Sequence, residues 1–406
     1  MKNLAPIALG TYTRLAHLKE TVYALQQNTL AQMSELYVFS DAPQPGDEAI
    51  VSDVRTYLST ISGFKKVHII KRQKNGRVAN NRGGIQELLQ EYGKVIFLED
   101  DNITATGFLA FMNDALHKYQ NHPHVLSICG YTPKFEITDE LNYYDNLALP
   151  RFVGWGIALW QEKFNLIPSI TPKDYKQIIM NAETVKYINH HHGRDLINRF
   201  RAESLGHIDG LDNKGCFLQT QTNMFSVHPK HSLVNNIGND GSGVHSSKND
   251  KYDIILWDKS DNFILDNDIS LNEGITQQSI EFFSPNDQDM SPEIIDNIIN
   301  QLQAQNITNV TLWGIDVLTG LFIQHMPPTF KINHIVDSWA DSETTYKQHK
   351  VITPKQAYEL GEKTFVIMSF SSRFKIQEAA LNLAKDLNVI MYQAEPLVSS
   401  NSKAIY

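Results

Sequence analysis

Only two cysteines, Cys129 and Cys216, occur in 406 residues. That excludes a disulfide framework and points to a reducing compartment. Long apolar runs are missing as well: no stretch approaches the roughly 20 residues a membrane helix requires. The opening MKNLAPIALGTYTR has no charged region followed by a long apolar run, so it does not read as a secretory signal. A cytoplasmic protein is the expectation, with peripheral contact at the inner membrane left open. Basic residues are in deficit, 36 Lys and Arg against 45 Asp and Glu, for a net charge of −9. No nucleic-acid partner is expected on that balance. Glycine is scarce where a dinucleotide site would need it. The segment LGTYTRLAH has one glycine where a hydride-transfer enzyme would show G-x-G-x-x-G, and no Walker loop is present.

What remains is 42% hydrophobic and 20% charged, the make-up of a globular protein. The length exceeds one ordinary core, so two domains are expected. Short apolar runs alternate with amphipathic stretches over the first 130 residues. Strands are predicted at Ala5 to Leu9, Leu36 to Phe39, Val67 to Ile70, Val95 to Leu98 and Val125 to Ile128. Helices are predicted at Leu15 to Gln27, Asp47 to Ser59, Gly84 to Glu91, and along the apolar face from Phe108 to Tyr119. This rhythm implies an α/β fold with a doubly wound, mainly parallel sheet. Past Tyr131 the chain turns rich in Gly, Asn, His and aromatics, which reads as loops and short strands beside the sheet, with one helical stretch near Lys173 to Arg201. The rhythm resumes after Ser291. The expected division is residues 1–250, a connector at 251–288 with strand-like pieces, and a smaller α/β domain at 289–406.

Ligands of an open parallel sheet bind at the carboxyl ends of its strands. Thr11, Tyr12 and Arg14 follow the first strand, Asp41 the second, and Arg72, Asn75 and Arg77 the third. The fourth ends in three consecutive acids, Glu99, Asp100 and Asp101, with no Lys or Arg in the next ten residues. Hard cations such as Mg²⁺ and Mn²⁺ prefer carboxylate oxygens and keep positions open for phosphate, which would let the acids tolerate one another. The plainer alternative is that they cap the following helix. Arg72 and Arg82 could equally be surface salt-bridge partners, and Asp41 could open a turn with Ala42 and Pro43.

The segments PIALGTYTRLAHLKETVYAL, LYVFSDAP, RFVGWGIALWQEKF, YGKVIFLEDDN and SLVNNIGNDGSGVH resemble the bacterial glycosyltransferase family 2 type of sugar transferase, with the GT-A fold. The resemblance covers roughly Pro6 to His245. It implies a nucleotide-diphosphate sugar donor, a divalent metal at the acidic motif, and inverting displacement at the anomeric carbon. Carried onto this chain, Thr11, Tyr12 and Arg14 would flank the base, and Asp41 would meet base or ribose. Arg72, Asn75 and Arg82 would lie along the nucleotide and diphosphate, and Asp100 toward ribose and metal. Asp101 would be the main metal ligand, with His245 a further metal or phosphate contact. The family's Asp shortly followed by Trp is replaced by GHIDGLDNKGCFLQTQTNMF, which lacks Trp. Asp209 matches the expected catalytic base best, with Asp212 next and Glu203 a competitor. The donor is expected to be UDP-linked, and the acceptor a glycan or lipid-linked glycan in surface polysaccharide synthesis. The alternatives are a sugar-nucleotide nucleotidyltransferase and a non-catalytic nucleotide- or carbohydrate-binding protein. Oligomeric state is open.

The last part, with VTLWGIDVLTGLF, INHIVDS and HKVITPKQAYELGEKTFVIMSF, resembles the small Rossmann-like module of sugar-modifying enzymes. Its glycines, Gly314 and Gly320, are too loosely spaced for tight pyrophosphate binding. Asp337 stands near the place where such sites hold a ribose, and a structural, partner-docking or vestigial role is favoured over an active cofactor site.

Overall fold

A computed structural model describes residues 3–139, 141–179, 181–206, 208–240, 251–284, 292–315, 317–338, 340, 345–369 and 373–391. The chain divides into two compact units, Met1–Tyr175 with Glu183–Ser284, and Lys176–Ala182 with Pro285–Tyr406.

The strands of the first unit are β1 (Ile7–Thr11), β2 (Glu35–Ser40), β3 (Lys66–Lys71), β4 (Lys94–Glu99), β5 (Asn102–Thr104), β6 (Val125–Cys129), β7 (Asn146–Leu149), β8 (Ile157–Trp160), β9 (Phe225–Pro229) and β10 (Val234–Asn236). The helices up to residue 284 are α1 (Leu15–Gln26), α2 (Glu48–Leu58), α3 (Arg77–Tyr92), α4 (Phe108–Lys118), α5 (Gln161–Phe164), α6 (Pro172–Ile179), α7 (Ala182–His191), α8 (Leu196–Ser204), α9 (Leu211–Gln221) and α10 (Glu273–Phe283). Eight strands form one sheet in the order β3-β2-β1-β4-β8-β6-β9-β7. The pairs β2–β3, β1–β2, β1–β4 and β6–β9 are parallel, whereas β8 runs antiparallel to β4 and β6, and β7 antiparallel to β9. The fold is therefore α/β, with a mainly parallel sheet.

The first four strands match the expected ones to within two residues at each end. The apolar runs of β1, β2 and β4 are buried, as the inner strands of a parallel sheet require, whereas β3 lies at the sheet edge and is partly exposed. The region past Tyr131 differs from expectation: β7, β8 and β9 do not pack beside the sheet but complete it. Helix α3 begins at Arg77, a full seven residues before the predicted start. Asn80, Asn81, Gly83 and Gly84 give its first half low helix propensity, but Gly84 lets the helix lie against Phe39, where an added Cβ would meet the ring at 2.7 Å. The stretch expected as one helix near 173–201 is broken into α6, α7 and α8, and Gly193 (φ +121°) closes α7 in a conformation that favours glycine.

Residues 251–284 were expected to be a connector with strand-like pieces. Among the described residues they hold α10 and no strand, and they strap onto the first unit. Leu265 and Ile269 enter its core. Asp145 accepts from Ile264 N at 2.7 Å and pairs with Lys259 at 2.8 Å.

The second unit contains β11 (Asn309–Trp313), β12 (Lys331–Val336), β13 (Thr345–Tyr346), β14 (His349–Ile352), β15 (Thr364–Ile367) and β16 (Asn388–Ile390), with α11 (Pro292–Ala304), α12 (Val317–His325), α13 (Pro354–Glu359) and α14 (Arg373–Leu383). The strand order is β13-β14-β12-β11-β15-β16. Apart from the short hairpin strand β13, the pairing is parallel around a core of Trp313, Val336, Ile352, Phe365 and Ile367. The ITPKQA stretch is a capping box: Gln356 N donates to Thr353 Oγ1 (3.2 Å) and Thr353 N to Gln356 Oε1 (2.9 Å). Asp337, fully buried at the end of β12, accepts from Ile315 N at 3.0 Å. That carboxylate holds the turn after β11. Among the described residues, no helix is long and apolar enough to cross a membrane.

Candidate active site

In the first unit the connections from β1 run outward to β2 and β3, and then return to β4 on the other side of β1. This reversal is a topological switch point, and the crevice outside the carboxyl ends of β1 and β4 is where such a sheet receives a ligand. The residues there are Thr11, Tyr12 and Arg14 from the β1 loop and Glu99, Asp100 and Asp101 from the β4 end.

Arg14 reaches the acids from 86 and 87 residues away in sequence. Its Nη2 donates to Asp100 Oδ1 at 2.7 Å and to Asp101 Oδ2 at 2.6 Å. Asp100 Oδ2 accepts from Thr11 Oγ1 (3.1 Å) and Tyr12 N (3.3 Å). Asp101 Oδ1 accepts from Asn102 Nδ2 (2.9 Å) and Asn236 Nδ2 (3.0 Å). Gly238 closes over the other oxygen: a Cβ there would lie 2.2 Å from Asp101 Oδ2. The acids are therefore not a helix start. They sit in the turn between β4 and β5, roofed by β10, and both side chains are nearly buried (7% and 8% exposed) beneath a guanidinium that is 26% exposed. Burial works against the Arg14 charge, but Asp100 and Asp101 outweigh it and hold its pKa above the usual range. Burial raises the Asp100 carboxyl in spite of Arg14. Burial, then the charge of Asp101, pushes Glu99 up to about 7. Glu99 accepts from Asn81 Nδ2 at 3.2 Å.

The remaining anticipated residues fall into separate groups. Asp41 is buried and organises the loop ahead of α3, accepting from Ala42 N (2.8 Å) and Gly76 N (3.1 Å). Asn75 Nδ2 donates to Ala42 O at 2.7 Å. Tyr12 OH accepts from Gln44 N at 3.0 Å, which joins the β1 and β2 loops. Arg72 pairs with Glu87 at 2.8 Å and lies over the Phe39 ring. Arg82 is turned to the Phe164 ring at 5.9 Å. Phe164 follows β8, whose last residue, Trp160, pairs with Lys94 at the start of β4, so Arg82 is not brought to the acid pair. His245 lies outside the described residues. Arg55, which the sequence reading passed over, ties β2 to β3 by donating to Asp41 O (3.1 Å) and Arg72 O (3.2 Å). Only its place in an amphipathic helix was visible beforehand.

The candidate bases stand at the start of α9. Asp209 is 46% exposed and pairs through Oδ1 with Lys214, while Asp212 receives Arg199 Nη1 at 3.3 Å. Glu203 is buried and pairs with Lys214 at 2.9 Å. Two contacts tie this loop to the rim. Arg77, the first residue of α3, donates to Asp209 O at 3.3 Å. Gly154 lies beside Asp212, a Cβ there meeting the Asp212 Cβ at 3.7 Å, while Gly156 N donates to Asn102 Oδ1 at 3.2 Å. The Gly-Trp-Gly segment thus spans from Asp212 to the neighbour of Asp101.

Among the described residues, no three His, Cys, Asp or Glu side chains form a metal cage. Asp100 and Asp101 nevertheless converge on one cationic nitrogen, and two carboxylates plus phosphate oxygens and water are a donor set that Mg²⁺ accepts. Arg14 occupies that position.

No protein-family model and no curated protein matches the chain. Among solved structures it is similar to S. aureus TarS (11% identity, TM-score 0.27), covering 50% of this chain and 43% of that one. It is also similar to a mannosyltransferase from Pyrobaculum calidifontis in complex with GDP-Man and Mn²⁺ (14% identity, TM-score 0.31), covering 54% of this chain and 72% of that one. A third is GalNAc-T7 with UDP, GalNAc and Mn²⁺ (12% identity, TM-score 0.35), covering 56% and 43% of the two chains.

Proposed function

We propose that the first unit is an inverting glycosyltransferase, which moves a sugar from a nucleoside-diphosphate sugar, UDP-linked by preference, to a hydroxyl of a glycan acceptor. The observation that carries this is the convergence of Arg14, Asp100 and Asp101 at the β1/β4 switch point, with Asp209 and Asp212 tethered to the same rim. The GT-A-like sequence motifs run through these same elements.

The acceptor oxygen attacks the anomeric carbon, and the bond from that carbon to the phosphate oxygen breaks with its electron pair. The nucleoside diphosphate departs, and the acceptor proton passes to a carboxylate. Asp209 is assigned that proton: it is exposed, and Lys214 fixes its orientation. Thr11, Tyr12 and the Asp41 loop frame the nucleotide end of the crevice. A divalent cation at Asp100 and Asp101 would offset charge on the departing diphosphate. Surface polysaccharide is the acceptor class that the motifs imply.

The test is a screen of nucleotide sugars for hydrolysis and transfer, with UDP binding followed separately. Asp209→Asn should lower turnover by about 100- to 10,000-fold while UDP binding is kept. Loss in Asp212→Asn alone would move the role to Asp212. Failure of every nucleotide sugar to bind or react would refute the proposal.

A further inference from the structure

The inference concerns Arg14 and rests on the nucleotide-sugar reading of the same crevice. We infer that Arg14 is an internal latch that holds the position of a divalent cation between Asp100 and Asp101, and that cation and diphosphate together displace it.

Three observations carry this. One guanidinium nitrogen, Nη2, serves both acids, at 2.7 and 2.6 Å, so the carboxylates already point at a single cationic centre. Every carboxylate oxygen of the pair accepts at least one protein donor: Asn102 and Asn236 on one oxygen of Asp101, Thr11 and Tyr12 on one of Asp100, and Arg14 on the other two. A cation cannot reach the shared position while Arg14 fills it, because two cations there would repel at contact distance with little water between them. Finally, among the described residues two carboxylates are the acid ligands on offer, a set that phosphate oxygens and water complement for a hard cation.

Charge decides the order of events. Two carboxylates and one guanidinium leave the closed site negative, which disfavours a bare diphosphate. A divalent cation alone must displace a buried ion pair and gains only two ligands. Cation and diphosphate arriving together supply both the missing ligands and a new partner for the released guanidinium, which is the most exposed member of the cluster. By linkage, each must then tighten the other.

The experiment measures Mn²⁺ binding by electron paramagnetic resonance in the whole protein, with metal alone and with UDP, for wild type, Arg14→Gln and Asp101→Asn. Wild type should bind Mn²⁺ at least tenfold more tightly with UDP than without. Arg14→Gln should bind Mn²⁺ alone at least tenfold more tightly than wild type, and Asp101→Asn should abolish the site. Equal Mn²⁺ affinity in wild type with and without UDP would overturn the inference, even if Arg14→Gln fails to fold. So would an Arg14→Gln protein, folded by circular dichroism, that binds Mn²⁺ no better than wild type. If UDP does not bind at all, the donor reading fails, and Mn²⁺ alone in wild type against Arg14→Gln still decides whether Arg14 is a latch.

Discussion

Lys214 provides the sharpest test of how the candidate base is held. Its ammonium is 5% exposed and lies 2.9 Å from Glu203, whose side chain is 2% exposed. The same nitrogen pairs with Asp209, which is 46% exposed. The two contacts differ in consequence. An ion pair to an exposed carboxylate contributes about 0–1 kcal/mol, whereas removing one partner of a buried pair destabilises by about 3–5 kcal/mol, because an uncompensated charge stays behind. In Lys214→Met, Glu203 keeps Gly210 N (3.0 Å) and Asn213 Nδ2 (3.1 Å) on Oε2. The loss should therefore sit near the lower limit, about 3 kcal/mol. Hydrogen exchange in α9 reads this locally, with protection falling by about 100-fold. Adding Glu203→Gln removes the stranded charge and should bring stability back to within about 1 kcal/mol of wild type. Turnover should stay depressed in the double variant, because Asp209 has lost its anchor. A single variant as stable as wild type, or a double variant no better than the single, would refute the buried-pair argument. Restored turnover in the double variant would refute the positioning role.

Gly238→Ala should strain the roof over Asp101, where the new Cβ would lie 2.2 Å from Oδ2 and 3.0 Å from Arg14 Nη1. A loss of about 1–3 kcal/mol, read as a drop in thermal midpoint, and weaker UDP binding are expected. His192 is buried with Nδ1 3.1 Å from Pro150 O, and burial, reinforced by His191 and Arg151, pushes its pKa down to about 4. Its folded value lies below its unfolded one, so its contribution is complete above about pH 6.5 and is lost as pH falls toward 4, by roughly 3 kcal/mol in all. His192→Asn should flatten that part of the stability profile, and an unchanged slope would exclude His192 as its source.

The parallel half of the first sheet was legible because β1, β2 and β4 are continuous apolar runs closed by turn residues, and β3 is an apolar stretch broken only by His68. The antiparallel half was not, because β7, β8 and β9 are short, polar-flanked and paired across long intervals. Propensity misjudged the start of α3, where close packing of Gly84 on Phe39 overrides two weak helix formers. At the site, the acid triplet was visible, but its neutralising partner was not. A scan for nearby cations finds none after Asp101, yet Arg14 arrives from the β1 loop, a contact set by the register of β1 against β4. Asn236 arrives from 135 residues downstream, set by the antiparallel pairing of β10 with β5. Arg82 shows the converse: a cation suitably placed in sequence is carried down its helix to an aromatic ring.

That dispersal has a kinetic consequence. The donors around Asp101 come from the first loop, the fourth strand's turn and the segment after β9, so their closure waits on the slowest long-range pairings of the chain. In pulse-labelled refolding, the amide of Ile237, which donates to Asp101 O at 2.9 Å, should gain protection after the amides of β1 and β2. The crevice would then be the last part of the unit to mature, and a nascent chain would acquire its ligand only once the residues around 240 had joined.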